Sequence, residues 1–224
     1  MQAHSCAMQR VIVAIVGCVF ASPALACETA LVLAVDVSGS ISDREYVLQI
    51  NGIADALGDP DILAALVEGQ DALAMVQWSG GGRQTVAMPW AVLTPADQVA
   101  GFAEMIRALP RPWNTATAIG EAIQVSLAQF ADVPQCHRQV IDVSGDGVEN
   151  DGMTLAAARA EAEAAGVTVN GLAIEVGGGV SLLTDYYRDH VITGGGFVMT
   201  AHGIQDFPRA IHAKLLRELT KPVS

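Results

Sequence analysis

Short apolar runs alternate with longer amphipathic stretches along most of the chain. The run at 30–36 has no polar residue before Asp36, which is typical of a central parallel strand covered on both faces. Ser42 and Glu45 have the spacing of a capping box, which predicts a helix start. The pattern predicts strands at 30–36, 72–78, 84–88, 138–143, 167–174 and 197–200, and helices at 42–57, 94–109, 117–130, 154–165, 181–189 and 204–219. A glycine turn at 79–82 predicts a hairpin at the sheet edge. The sequence therefore predicts a three-layer α/β/α, Rossmann-like fold with a mainly parallel central sheet and one antiparallel edge strand.

The first 26 residues have the layout of a secretory signal peptide. Arg10 precedes an apolar segment too short to span a bilayer, and Ala24-Leu25-Ala26 fits the small-x-small cleavage rule. We expect cleavage after Ala26, a periplasmic or secreted protein without a transmembrane segment, and one domain over 27–224. A lipid anchor at Cys27 is the less favoured alternative, because lipoproteins favour Leu at the position that Ala24 occupies.

Composition narrows the class of partner. Apolar residues make up 51% of the chain, which is enough for a full core. The net charge of −12 disfavours nucleic acid and anionic lipid as partners but tolerates divalent cations. Cys27 and Cys136 remain after the leader, an even pair that suits an oxidising compartment.

A row of oxygen-bearing side chains follows the first strand. Asp36, Ser38 and Ser40 occupy alternate positions where a central strand ends, and ligands bind at that edge of open α/β sheets. Ser42 and Glu45 already supply the cap of the next helix, so these three side chains are left for another use. Hydroxyl and carboxylate oxygens suit Mg²⁺, with Mn²⁺ or Ca²⁺ as alternatives.

Two further stretches complete a known pattern. Residues 140–147 read VIDVSGDG, in which a second apolar strand runs into Asp146, and threonines at 115 and 117 stand at the start of a predicted helix. With these stretches the sequence resembles the von Willebrand factor type A (vWA) domain and its metal-ion-dependent adhesion site (MIDAS). That site combines Asp-x-Ser-x-Ser, a threonine and an Asp-Gly. The chain also resembles an exported bacterial vWA-like family of unknown function.

The resemblance implies a set of metal ligands. They are Asp36, Ser38, Ser40, Thr117 and Asp146. Family members often read Thr-x-x-Gly-x-Ala, and Thr117, Gly120 and Ala122 fit that spacing. Thr115 stays the alternative to Thr117.

The resemblance also implies a disulfide between Cys27 and Cys136. In vWA domains the first and fourth strands are parallel neighbours, and both cysteines precede the motif aspartates by a similar number of residues. Neighbouring strands are about 4.8 Å apart, which is within disulfide reach.

The function implied by the resemblance is adhesion. A bound Mg²⁺ would coordinate an Asp or Glu side chain of a protein partner, with Arg111 and Trp113 as a possible partner rim. We expect no enzymatic activity. One alternative is a metal-dependent hydrolase or phosphatase with Asp36 as nucleophile, although Ser38 stands where the dehalogenase-type phosphatases need a second Asp. Another is a scaffold with a purely structural metal.

Overall fold

The structure, a computed structural model, describes residues 27–133, 135–152, 155–176 and 182–220. Its centre is a six-stranded sheet. The strands are β1 Cys27–Asp36, β2 Ala72–Trp78, β3 Gln84–Val92, β4 Cys136–Gly145, β5 Thr168–Glu175 and β6 Val198–His202. Their order is β3-β2-β1-β4-β5-β6, and every neighbouring pair is parallel except β2 and β3. The predicted signal peptide, residues 1–26, lies outside the described residues.

Helices cover both faces of the sheet. They are α1 Asp43–Leu57, α2 Pro60–Gly69, α3 Ala96–Arg107, α4 Ile119–Gln129, α5 Leu155–Ala164, α6 Leu182–Tyr186 and α7 Phe207–Leu219. A π-helical turn, Tyr187–Val191, continues α6. One apolar layer joins α1, α2, α3 and α7 to the sheet, and a second joins α4, α5 and α6. These layers confirm the predicted three-layer fold. Within the described ranges, no helix is both long and apolar enough to cross a membrane.

Local signals placed most elements correctly. Along β1 every residue is buried except the half-buried Glu28, as expected of a central parallel strand. The predicted capping box is present, since the Ser42 side chain accepts from the Glu45 N–H and the Glu45 carboxylate accepts from the Ser42 N–H. Two predictions were wrong. The helix α2 was missed, and α4 begins at Ile119 instead of at residue 117.

The disulfide is confirmed. Cys27 and Cys136 are register partners on β1 and β4, with their Cα atoms 4.3 Å apart and their sulfur atoms bonded. It ties the N-terminal ends of the two central strands, opposite the edge where Asp36 and Asp146 lie. A disulfide is typical of proteins in oxidising compartments.

Candidate metal site

Three loops meet at the C-terminal ends of β1 and β4. We name them the first loop (residues 37–42, after β1), the second loop (residues 110–118, before α4) and the third loop (residues 146–152, after β4). The Gly39 N–H of the first loop donates to the Thr115 carbonyl of the second at 2.6 Å. A Cβ at Gly39 would lie only 3.0 Å from the Asn114 carbonyl oxygen, so a side chain here would push the second loop away.

Oxygen atoms of the first and third loops form one hydrogen-bonded cluster. The Ser38 and Ser40 hydroxyls are 3.1 Å apart, and the Ser40 hydroxyl donates to Asp146 Oδ1 at 2.5 Å. Asp36 Oδ1 accepts from the Ser38 N–H at 2.7 Å. Asp36 and Ser38 are buried whereas Ser40 is exposed, so the cluster opens to solvent on the Ser40 side. The structure thus brings four of the five predicted ligands together.

The fifth predicted ligand, Thr117, lies in the second loop against the third. Its N–H donates to Asn150 Oδ1 at 2.9 Å, and its carbonyl accepts from the Asn150 N–H at 3.0 Å. A Cβ built on Gly147 would lie 3.4 Å from the Thr117 hydroxyl. The hydroxyl is therefore next to the residue that follows Asp146. These bonds to Asn150 also account for the late start of α4.

Thr115, the alternative to Thr117, faces a different loop. Its hydroxyl lies 2.9 Å from the Ser79 hydroxyl and accepts from the Gly80 N–H at 3.2 Å. Ser79 and Gly80 follow β2, so the Thr115 side chain bonds the loop after that strand. This placement favours Thr117 over Thr115 as the threonine of the cluster.

The electrostatics of the cluster disfavour two free carboxylates. Burial raises the pKa of Asp36 to about 7, Ser38 hydrogen bonds offset part of that effect, and the charge of Asp146 adds to it. Burial also raises the pKa of Asp146, and the charge of Glu45 contributes. Removing water from a carboxylate favours its neutral form unless a cation or donor compensates. A cation between Asp36 and Asp146 would supply that compensation.

The donor set fits a small hard cation. Asp36 Oδ2 is fully buried and has no hydrogen-bond partner among the described residues, which is costly unless another group pairs with it. Two carboxylates and three hydroxyls are ligand types that Mg²⁺ takes in proteins. No group of three or more His, Cys, Asp or Glu in the described ranges could hold a metal. A metal site here would therefore depend on the hydroxyl ligands.

Arg111 binds the backbone of the first loop through its guanidinium group. Its guanidinium donates to the carbonyls of Val37 (3.2 and 3.3 Å), Ser38 (2.6 Å) and Ile41 (2.5 Å), and it pairs with Asp43 at 2.8 Å. Only 11% of its side chain is exposed. The sequence analysis offered Arg111 as part of a partner rim. The structure adds a second role, because the guanidinium bonds three carbonyls of the first loop, while Arg111 also borders the surface cavity beside Trp113.

Trp113 is the remaining predicted rim residue. It is half-buried and borders a shallow cavity of about 250 Å³ with Asp43, Pro112 and Asn114. Asn150, which follows the Asp-Gly motif, bonds both backbone groups of Thr117. The polar residues after the Asp-Gly motif were the available signal for it.

The comparisons with known proteins agree with this fold. Residues 26–223 match the family described as "Protein of unknown function (DUF1194)". No curated protein sequence matches significantly. Among solved structures, a form of proximal thread matrix protein 1 from mussel byssus with a zinc-occupied MIDAS motif is similar at 17% identity and a TM-score of 0.64, covering 87% of this chain and 48% of that one.

Two further solved structures are similar. The pilus adhesin SpaC from Lactobacillus rhamnosus GG, in an open conformation, has 13% identity and a TM-score of 0.65, covering 86% of this chain and 30% of that one. A von Willebrand factor type A protein from Catenulispora acidiphila has 16% identity and a TM-score of 0.62, covering 88% of this chain and 44% of that one. The chain spans less than half the length of these three proteins. At such low identity the likeness concerns the fold. The chain therefore belongs to the DUF1194 family and has the von Willebrand factor type A fold.

Proposed function

We propose that this protein is an exported binding module that holds a divalent cation and uses it to coordinate a carboxylate of a protein partner. The residues that would hold the cation are Asp36, Ser38, Ser40, Thr117 and Asp146. The observation that carries the proposal is the hydrogen-bonded cluster of Ser38, Ser40 and Asp146, which joins two loops and opens to solvent at Ser40.

The chemistry of the ligands supports an anionic partner. Hydroxyl ligands carry no charge, so a cation bound mainly through them stays electron-poor and attracts an external anion. The protein itself has a net charge of −12, and the cation would be a local positive point on an acidic surface. A carboxylate of an Asp or Glu on the partner fits that point.

Related proteins support the coarser part of the proposal. The mussel protein has zinc in its MIDAS motif, and SpaC is a pilus adhesin. For this chain we propose Mg²⁺ in the cell, with Mn²⁺ or Ca²⁺ as alternatives, and a periplasmic or secreted location. The disulfide between Cys27 and Cys136 is compatible with that location.

Metal binding is tested first. Isothermal titration of the purified protein with Mg²⁺, Mn²⁺ and Ca²⁺ is expected to show one site, and Ser40→Ala is expected to weaken it. Ser126→Ala is the matched control, because Ser126 is buried on α4 and its hydroxyl has no hydrogen-bond partner in the described structure. Equal affinity in both variants and the wild type would count against the assignment.

Partner chemistry is tested second, with a defined probe. A peptide array with one central Glu in varied contexts is compared with a matched array that carries Gln. We expect retention of the Mg²⁺-loaded protein on a subset of Glu peptides, and loss with chelator, with Gln or with Ser40→Ala. Retention that ignores all three changes would refute a metal-bridged carboxylate.

The proposal includes no catalytic step. A phosphatase of the dehalogenase type needs a lysine near its nucleophile. Lys214, the lysine within the described residues, is instead buried in ion pairs with Asp142 at 2.7 Å and Glu218 at 2.6 Å. Of the histidines in the described residues, His212 pairs with Asp59 at 3.0 Å and His190 packs at a tilt against the Tyr186 ring. Turnover of p-nitrophenyl phosphate that depends on Asp36 would favour the hydrolase instead.

A further inference from the structure

Tyr187 reaches from the second helical layer toward the metal site. It is the first residue of the π-helical turn after α6, and it is fully buried. A Cβ at Gly171 of β5 would lie 2.8 Å from the Tyr187 ring, and a Cβ at Gly145 of β4 would lie 2.6 Å from its hydroxyl oxygen. The two glycines therefore leave the room in which the ring crosses β5 and its hydroxyl reaches the end of β4. π-Helical turns are frequent at functional sites.

The hydroxyl ends beside Asp36. The same Cβ position at Gly145 that lies 2.6 Å from the Tyr187 oxygen lies 2.9 Å from Asp36 Oδ2. The two oxygens are thus no farther apart than a single bridging water molecule spans. Any side chain at position 145 would occupy that gap.

Both oxygens lack a partner in the described structure. The Tyr187 hydroxyl and Asp36 Oδ2 are each fully buried without a hydrogen bond to any described residue. A phenol offers a donor and a carboxylate offers an acceptor, so each supplies what the other needs. Buried polar groups in folded proteins are almost always paired, and leaving two neighbours unpaired is unfavourable.

We propose that Tyr187 is a positioning residue of the metal site. Its hydroxyl donates to Asp36 Oδ2 through one buried water and fixes the orientation of the carboxylate toward the cation. The part of this inference that concerns the cation rests on the proposed function. Groups that hydrogen-bond a metal ligand from behind restrict its orientation, and their loss commonly weakens metal binding by about 10-fold or more.

Tyr187→Phe separates this role from packing, because it keeps the ring over Gly171 and removes only the hydroxyl. Isothermal titration of the disulfide-intact protein with Mg²⁺ should show a dissociation constant about tenfold higher than in the wild type. A dissociation constant equal to that of the wild type would overturn the inference.

Tyr46→Phe is the matched control. The Tyr46 hydroxyl is also buried, but it donates to the Leu109 carbonyl at 2.9 Å and accepts from Gln77 at 2.7 Å. This variant should lower the urea midpoint and keep the Mg²⁺ dissociation constant within about twofold of the wild type, since its partners are not ligands. An equal loss of Mg²⁺ affinity in both variants would mean that general destabilisation explains the effect and would overturn the positioning role.

A double-mutant cycle in chelator tests the contact without any metal. Tyr187→Phe should lower the urea midpoint more in the wild type than in the Asp36→Asn background, because the amide is a weaker acceptor than the carboxylate. Strictly additive midpoints would overturn the inference. If the wild type binds none of the metals tested, the proposed function fails, and the cycle alone then decides whether Tyr187 pairs with Asp36.

Discussion

Asp36→Asn should stabilise the metal-free protein above neutral pH and abolish its response to Mg²⁺. Asp36 is fully buried at the end of β1, and its Oδ2 atom makes no direct hydrogen bond to any described residue. The amide has the same shape and keeps an oxygen to accept from the Ser38 N–H. The variant therefore removes a buried charge while preserving the turn of the first loop.

The expected size of this stabilisation follows from the pKa of Asp36. Burial raises it from 3.8 to about 7 in the folded protein. A carboxyl whose folded pKa lies above its unfolded value contributes stability that is full below 3.8 and is lost as the pH rises through about 7. Each unit of difference between the two pKa values corresponds to about 1.36 kcal/mol. Above neutral pH, ionised Asp36 therefore lowers the free energy of unfolding by about 4 kcal/mol. Asn removes this cost, and a bound cation would offset it in the wild type.

Urea denaturation in chelator between about pH 4 and pH 8 measures the effect. The stability of the variant relative to the wild type should grow from near zero at the acid end to about 4 kcal/mol at the alkaline end. Adding Mg²⁺ should then raise the midpoint of the wild type and leave that of the variant unchanged. Asp132→Asn, at an exposed aspartate, should reproduce the wild-type curve.

Two results would refute this reasoning. Parallel pH profiles for the wild type and Asp36→Asn would show that the Asp36 carboxyl titrates normally in the fold. Equal stabilisation of both proteins by Mg²⁺ would show that the cation binds elsewhere. Burial also raises the pKa of Glu218 to about 7. Comparing the two proteins at each pH separates the contribution of Asp36 to stability from that of such other buried acids.

Three further predictions address the surroundings of the cluster. Thr117→Val should weaken Mg²⁺ binding in calorimetry by about tenfold. Thr115→Val should lower only the melting temperature, because the Thr115 hydroxyl bonds the loop after β2; the reverse result would reassign the ligand. Arg111→Lys should lower both stability and Mg²⁺ affinity, because an ammonium cannot reproduce the guanidinium fork on three carbonyls; wild-type affinity would show that the first loop holds its shape unaided. Replacing Cys27 and Cys136 by Ala should lower the free energy of unfolding by about 3–5 kcal/mol in urea, given a 109-residue separation, and a smaller loss would indicate a compact unfolded state.

The fold was predictable because its signals are local. A parallel strand covered on both faces needs an unbroken apolar run, and β1 and β4 show one directly before each motif aspartate. The cap of α1 needs only Ser42 and Glu45 three residues later. Such features depend on neighbouring residues, so the sequence displays them without knowledge of the tertiary structure.

The supporting contacts were not predictable because they join distant residues. Arg111 bonds a loop about 70 positions earlier in the chain, and Asn150 bonds Thr117 33 positions earlier. The second of these contacts also draws Thr117 out of the helix that its local sequence predicts. Tyr187 depends on two glycines in different strands. Position in the sequence can place Arg111 and Asn150 near the site, but no local pattern shows which distant groups these side chains contact.

The site and the disulfide occupy opposite ends of the same pair of strands. β1 and β4 pair in register from Cys27 with Cys136 to Val35 with Ser144, so the distance between the first and third loops is set by the sheet. Arg111 then fixes the shape of the first loop by bonding its carbonyls. These contacts hold the Ser38 and Ser40 hydroxyls close to each other at the end of the sheet. Ser40 is the exposed member of the cluster, whereas Asp36 and Ser38 are buried. Under the proposed function, a partner would approach from the Ser40 side, while Asp36 stays enclosed in the core.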